Sequence, residues 1–178
     1  MKYTENDGLL VLAEGLDKSY YSTILGFCEN AKLQAVSLQQ LEIHKSTSQY
    51  VNLCNKLIAE IQQYIGNKTE HLLPYLKTLA VKSSAGHDCR ACNGGCDLGH
   101  ELVMAEMKDS HLRIKEIVYR LQMVALPLYS ETKFPIEYKS LRNLMAKLEN
   151  SLADLLIIEE TKLIPQIIKA QKNIYVHD

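Results

Sequence analysis

The chain has 178 residues and a formal charge of −1, with 47% hydrophobic and 23% charged positions. That length fits one domain, and the composition excludes disorder as a description of the whole. A charge this close to zero supplies no general attraction to phosphate, so nucleic acid is not an expected partner.

The longest apolar runs, such as Leu155–Ile158, fall far short of the roughly 20 residues that a membrane helix needs, so a membrane is not expected either. The first residues, Met1-Lys2-Tyr3-Thr4-Glu5-Asn6-Asp7, carry acids where a secretory leader carries bases, and Leu9-Leu10-Val11-Leu12-Ala13 is too short for its apolar core. Five cysteines, an odd number, suit a reducing compartment. The expected location is the cytoplasm.

Taken in order, residues 17–41 have a weak helical tendency that breaks near Gly26. Tyr50, Cys54, Leu57, Ile61 and Tyr64 then form an apolar stripe at helical spacing. This helix is expected to continue past Gly66 into Leu72-Leu73-Pro74-Tyr75-Leu76, bent by the proline. A third seam runs His100, Met104, Met107, His111, Ile114, Val118, Leu121, Ala125, limited by Pro127. The fourth runs Leu141, Met145, Leu148, Leu152, Leu155, Glu159, Leu163. Connections are expected at roughly 34–46, 83–99 and 127–137, and no stretch has the period of a strand. The economical architecture is all-α: a single domain over residues 1–178, folded as an up-down-up-down four-helix bundle. The halves echo one another, since Leu72-Leu73-Pro74-Tyr75-Leu76 is matched by Leu163-Ile164-Pro165-Gln166-Ile167. Coincidence and a duplicated hairpin both account for that match.

The least bundle-like stretch, 83–99, holds Cys89-x2-Cys92-x3-Cys96, with His87 before it and His100 after it. Cys-x2-Cys lets two thiolates converge on one ion from a tight turn, and Cys96 and His100 share a face if the helix has begun. Three thiolates and an imidazole complete a tetrahedral zinc site, and the same thiolates can hold part of an iron–sulfur cluster. Reversible Cys89–Cys92 oxidation and inert cysteines are the alternatives. Cys28 and Cys54 sit among apolar helical neighbours and read as small core residues.

Two polar residues interrupt the seams, His111 and Glu159. A buried carboxylate requires a cation, a proton or a metal, so the pair reads as a buried hydrogen bond or ion pair, or as a metal site on the bundle axis. Partial exposure, with the heptad one position off, is the remaining alternative.

Met107-x2-Ser110-His111, Pro127 and Asp154-x4-Glu159-x3-Leu163-Ile164-Pro165 together resemble the second half of hemerythrin-like proteins. Within them the chain is most similar to the iron–sulfur cluster repair group, regulators of cell morphogenesis and nitric oxide signalling. The resemblance covers roughly residues 40–172 and is best supported over 100–168. It implies a four-helix bundle with a non-haem di-iron centre, held by a Met-x2-Glu-His motif on the third helix and His-x3-Glu motifs on the second and fourth. Carried over by position, it puts His111 at the third-helix histidine and Glu159 at the fourth-helix glutamate. It also puts Leu155 where a histidine is expected, Tyr64 at the second-helix histidine and Lys68 at its glutamate. A full di-iron ligand set is absent at these positions, and Lys68 would repel a metal. The cysteine cluster has no counterpart in the family pattern.

No phosphate-loop, dinucleotide-binding or nucleophile-elbow spacing occurs, so an enzyme is not indicated. The expected function is a metal-binding protein of the iron–sulfur repair or nitrosative and oxidative stress type, with its di-iron site largely lost. Zinc or iron is expected at His87, Cys89, Cys92, Cys96 and His100, with His111 and Glu159 as secondary ligands. The alternative is a non-enzymatic zinc- or redox-sensing module that signals to a protein partner.

Overall fold

The computed structural model describes residues 5–41, 45–85, 95–128 and 136–175, and among them there is no strand. The described residues form four helices. Helix α1 comprises Glu5–Leu16 and Ser22–Gln40, joined by a π-helical turn at Asp17–Tyr21. Helix α2 comprises Lys45–Asn67 and Leu73–Ser84, joined by a π turn at Lys68–Leu72. Helix α3 is Gly95–Leu128. Helix α4 comprises Ile136–Ile158 and Ile164–Tyr175, joined by a π turn at Glu159–Leu163. No helix among the described residues is long and apolar enough to cross a membrane.

The stripes read on the second and fourth helices are buried faces, whereas on the third Met107, His111, Ile114, Leu121 and Ala125 are buried and His100, Met104 and Val118 are half-buried. Tyr50, Cys54, Leu57, Ile61 and Tyr64 are all buried on α2, and every member of the seam from Leu141 to Leu163 is buried on α4. Helix α1 departs from expectation. Gly26 does not break it, and the connection expected from residue 34 begins only after Gln40. Ile24, Cys28, Ala31, Ala35 and Leu38 bury one face there, and that burial outweighs the roughly 0.5–1 kcal/mol that a mid-helix glycine costs. A Cβ at Gly26 would meet nothing within 4 Å. Gly26→Ala is therefore expected to raise stability by about 0.4–1 kcal/mol, read as a higher urea midpoint with an unchanged slope.

The chain divides into two compact units. The first contains Met1–Tyr21, Ile65–Asp109 and Asp154–Asp178. In it Glu5–Leu16 packs on Leu73–Ser84 and on Ile164–Tyr175, and the latter two pack on each other. Leu9, Ala13, Leu76, Leu79, Ile167 and Ile174 are buried in this unit. The second contains Ser22–Tyr64 and Ser110–Ala153. Its core includes Tyr50 and Tyr138, whose rings meet edge to face with centroids 5.4 Å apart. Around it Gln62 bonds Glu29, Arg113 bonds Glu60 and Gln122 bonds Glu149.

The π turns on α2 and α4 have a readable cause. Beside Ile58 and Ile65 one buried row on α2 runs 57, 61, 64, 68, 72, 76, 79, and beside Leu156 one on α4 runs 148, 152, 155, 159, 163, 167, 170. Both alternate steps of four and three until three consecutive fours intrude, which carries one residue more than an α-helix keeps on the same face. The π turn absorbs that residue: Leu73 N–H donates to the Lys68 carbonyl and Ile164 N–H to the Glu159 carbonyl, each five residues back. Pro74 and Pro165 follow directly, and the widened turns hold the carbonyls of Glu70 and Thr161 that a proline ring would meet in a regular helix. The sequence echo between the halves is thus also an echo of backbone geometry.

Candidate functional site

Lys68 and Glu159 each open a π turn, six residues before its proline. In the core of the first unit these equivalent positions meet, with Lys68 Nζ 2.9 Å from Glu159 Oε1 at 3% and 0% exposure. The Tyr21 hydroxyl, at the end of the π turn of α1, donates to the same oxygen at 3.1 Å. Three π turns therefore converge on one carboxylate. Burial pulls the Lys68 ammonium below the usual lysine range, against the attraction of Glu159. Burial, reinforced by the negative charge of Glu159, pushes the Tyr21 phenol well above its usual value, so it remains a donor.

The arrangement satisfies the electrostatics of Glu159 from within the protein. A buried carboxylate needs a positive charge and hydrogen-bond donors, and Lys68 and Tyr21 supply both. Sequence reasoning places Lys68 at this level through the family resemblance but misses Tyr21. The signal for Tyr21 lies in the buried face of α1, which runs 9, 13, 16, 21, 24, 28, 31. The step of five from Leu16 to Tyr21 is a π insertion that brings a tyrosine onto an otherwise small apolar face.

His111 is buried in the second unit, where it shares a hydrogen bond of 2.7 Å with the Tyr64 hydroxyl. The two rings also meet edge to face, with centroids 5.6 Å apart. Ser110 beside it is buried and accepts from Arg113 at 3.0 Å.

Helix α3 begins at Gly95, so Cys96 lies in its first turn and His100 one turn further on. His100 is half-buried, and its Nδ1 shares a hydrogen bond with the Tyr75 hydroxyl, which in turn accepts from Gln171 Nε2 at 2.8 Å. The ring is fixed by residues from α2 and α4. His87, Cys89 and Cys92 lie outside the described residues, as does the side chain of Cys96. Among the described residues no three His, Cys, Asp or Glu side chains cluster as a metal site.

Cys28 and Cys54 are fully buried free thiols, as their apolar surroundings in sequence suggest. Burial pushes the Cys28 thiol up to about 12 and raises Cys54 as well. Neither is expected to react with a thiol reagent in the folded chain, and both should react once urea unfolds it. Mass spectrometry of the alkylated protein checks this.

Compared with protein-family models, curated proteins and solved structures, the chain matches none.

Proposed function

We propose that the chain is a hemerythrin-like, up-down-up-down helical bundle of the cytoplasm whose central metal site has been replaced by internal pairing, and that it binds its metal ion at the cysteine–histidine segment. The observation that carries this reading is the Lys68–Glu159 pair at 2.9 Å in a closed core. By position Glu159 stands for a glutamate of the di-iron centre, and here its counter-charge is an ammonium. A metal cation beside Lys68 would face like-charge repulsion in a low-dielectric interior. By the same positions Leu155, buried and apolar, has no ligand atom, and Tyr64 is hydrogen-bonded to His111.

The metal then falls to His87, Cys89, Cys92, Cys96 and His100, with His111 and Glu159 as vestiges of the older centre. Three thiolates and an imidazole favour zinc, and iron is the alternative ion. The Tyr75 hydroxyl at Nδ1 of His100 supports this assignment, because ligating histidines are oriented through their second nitrogen. In this reading the protein is not an enzyme. Metal occupancy or thiol oxidation at the cysteines reports iron–sulfur damage, nitrosative stress or oxidative stress to a protein partner.

Titration of the anaerobic, reduced full-length chain with cobalt(II) tests this. The expected result is uptake of about one ion per chain, with the visible absorption of a tetrahedral thiolate site. That absorption should be lost in Cys89→Ser, Cys92→Ser and altered in His100→Ala. Uptake that is unchanged in the cysteine variant, or no uptake at all, would overturn the proposal.

A further inference from the structure

A groove of about 440 Å³ opens in the second unit beside α3 and α4, with Tyr50 of α2 also in its lining. Its volume lies within the roughly 300–1,000 Å³ typical of small-molecule sites. On α4 the row Arg142, Ala146, Glu149 faces it, and the small Ala146 leaves the space. Tyr119 and Met123 form the outer wall and are mostly exposed, at 63% and 50%. Tyr50 is buried and meets Tyr138 edge to face.

Glu149 is the chemical feature of this groove. It is half-buried, and Oε2 accepts one hydrogen bond, from Gln122 Nε2 at 2.9 Å. A carboxylate has about four acceptor positions, so one amide donor leaves most of its capacity unused. Burial raises its pKa, and the Gln122 amide opposes that rise. Arg142 lines the same groove two turns earlier on α4, and the shift of Glu149 is set by burial and the Gln122 amide, with no contribution from that guanidinium.

We propose that this groove binds a small organic amine, an apolar body carrying one protonated nitrogen. The ammonium has three donors and the charge that Glu149 needs. Tyrosine faces and a methionine thioether favour a cation and its alkyl or aryl body. A neutral ligand would desolvate the carboxylate without a counter-charge, and an anion would add repulsion. Charge complementarity and the size of the groove together select a small cation over a protein surface.

The test is an NMR titration of the full-length chain with phenylbutylamine, phenylbutanamide and phenylbutyrate. The amine is expected to give saturable shifts at the Tyr119 ring and the Met123 methyl, with the amide and the acid at least about tenfold weaker, which is about 1.4 kcal/mol. Glu149→Gln should weaken the amine by a similar factor, and Ala146→Leu should abolish its binding by filling the groove. Glu149→Gln removes a partly buried charge and is expected to fold; retained helical circular dichroism and an unchanged melting temperature establish this for both variants. The proposal falls if the amide binds as well as the amine, if Glu149→Gln leaves amine affinity unchanged, or if no saturable shift occurs at millimolar probe. It also falls if the same signals move with protein concentration in place of probe, since the occupant would then be a second copy of the chain.

Discussion

Lys68→Met is expected to destabilise the chain by about 3–5 kcal/mol, because it removes the ammonium that faces the Glu159 carboxylate in a closed core. Methionine matches the lysine stem in length and fills the same space, so the loss reports charge and not volume. The converse change, Glu159→Leu, strands the ammonium and is expected to cost a similar amount. Combining the two should recover most of the loss, and can exceed the parent by about 1–4 kcal/mol, because a buried ion pair carries a desolvation cost that apolar side chains lack. A double-mutant cycle from urea unfolding measures the coupling. Additive single losses would show that Lys68 and Glu159 do not depend on each other.

The second large effect is expected at Leu155, one helical turn before Glu159. Leu155 is fully buried, and Leu155→Ala should cost about 2–5 kcal/mol, the range for a leucine whose cavity does not collapse. Ile157, two residues later, is 57% exposed, and Ile157→Ala should stay within about 0.5 kcal/mol of the parent. The contrast separates core packing from helix propensity, since both residues belong to the same stretch of α4. Thermal or urea unfolding of the two variants side by side decides it.

Most of the helical architecture is legible in the order of residues because it rests on one periodic signal. The α2 and α4 stripes keep their three–four alternation up to the π turns, and both are buried as that spacing requires. Helix α1 is less legible. Its buried face uses Ala13, Ala31 and Ala35, which stand out little from their surroundings, and Gly26 reads locally as a break although tertiary burial overrides it. The Glu5–Leu16 helix likewise depends on packing against Leu73–Ser84 and Ile164–Tyr175, which no local pattern announces.

The polar core is half legible. Glu159 and His111 stand out because each interrupts an apolar seam. The partners are harder to find: Tyr21 reaches Glu159 through a π insertion, and Tyr64 and Tyr50 look alike in the α2 stripe although one bonds a histidine and the other packs on a tyrosine. Lys68 is the most informative case. A lysine in a helix ordinarily marks a solvated face, and only the register of three successive fours turns it inward. The Glu149 groove has no sequence signal at all, because it depends on which side chains two packed helices leave uncovered.

Under the proposed function, positive charge in the core comes from Lys68 and metal is held by the cysteines. Elemental analysis with an absorption spectrum, on anaerobically purified full-length protein and its Cys89→Ser, Cys92→Ser variant, tests it most directly. About one zinc per colourless chain, lost in the variant, is the expected result. Iron that survives the loss of both cysteines would contradict it, by placing a metal in the very core that Lys68 and Glu159 are said to close.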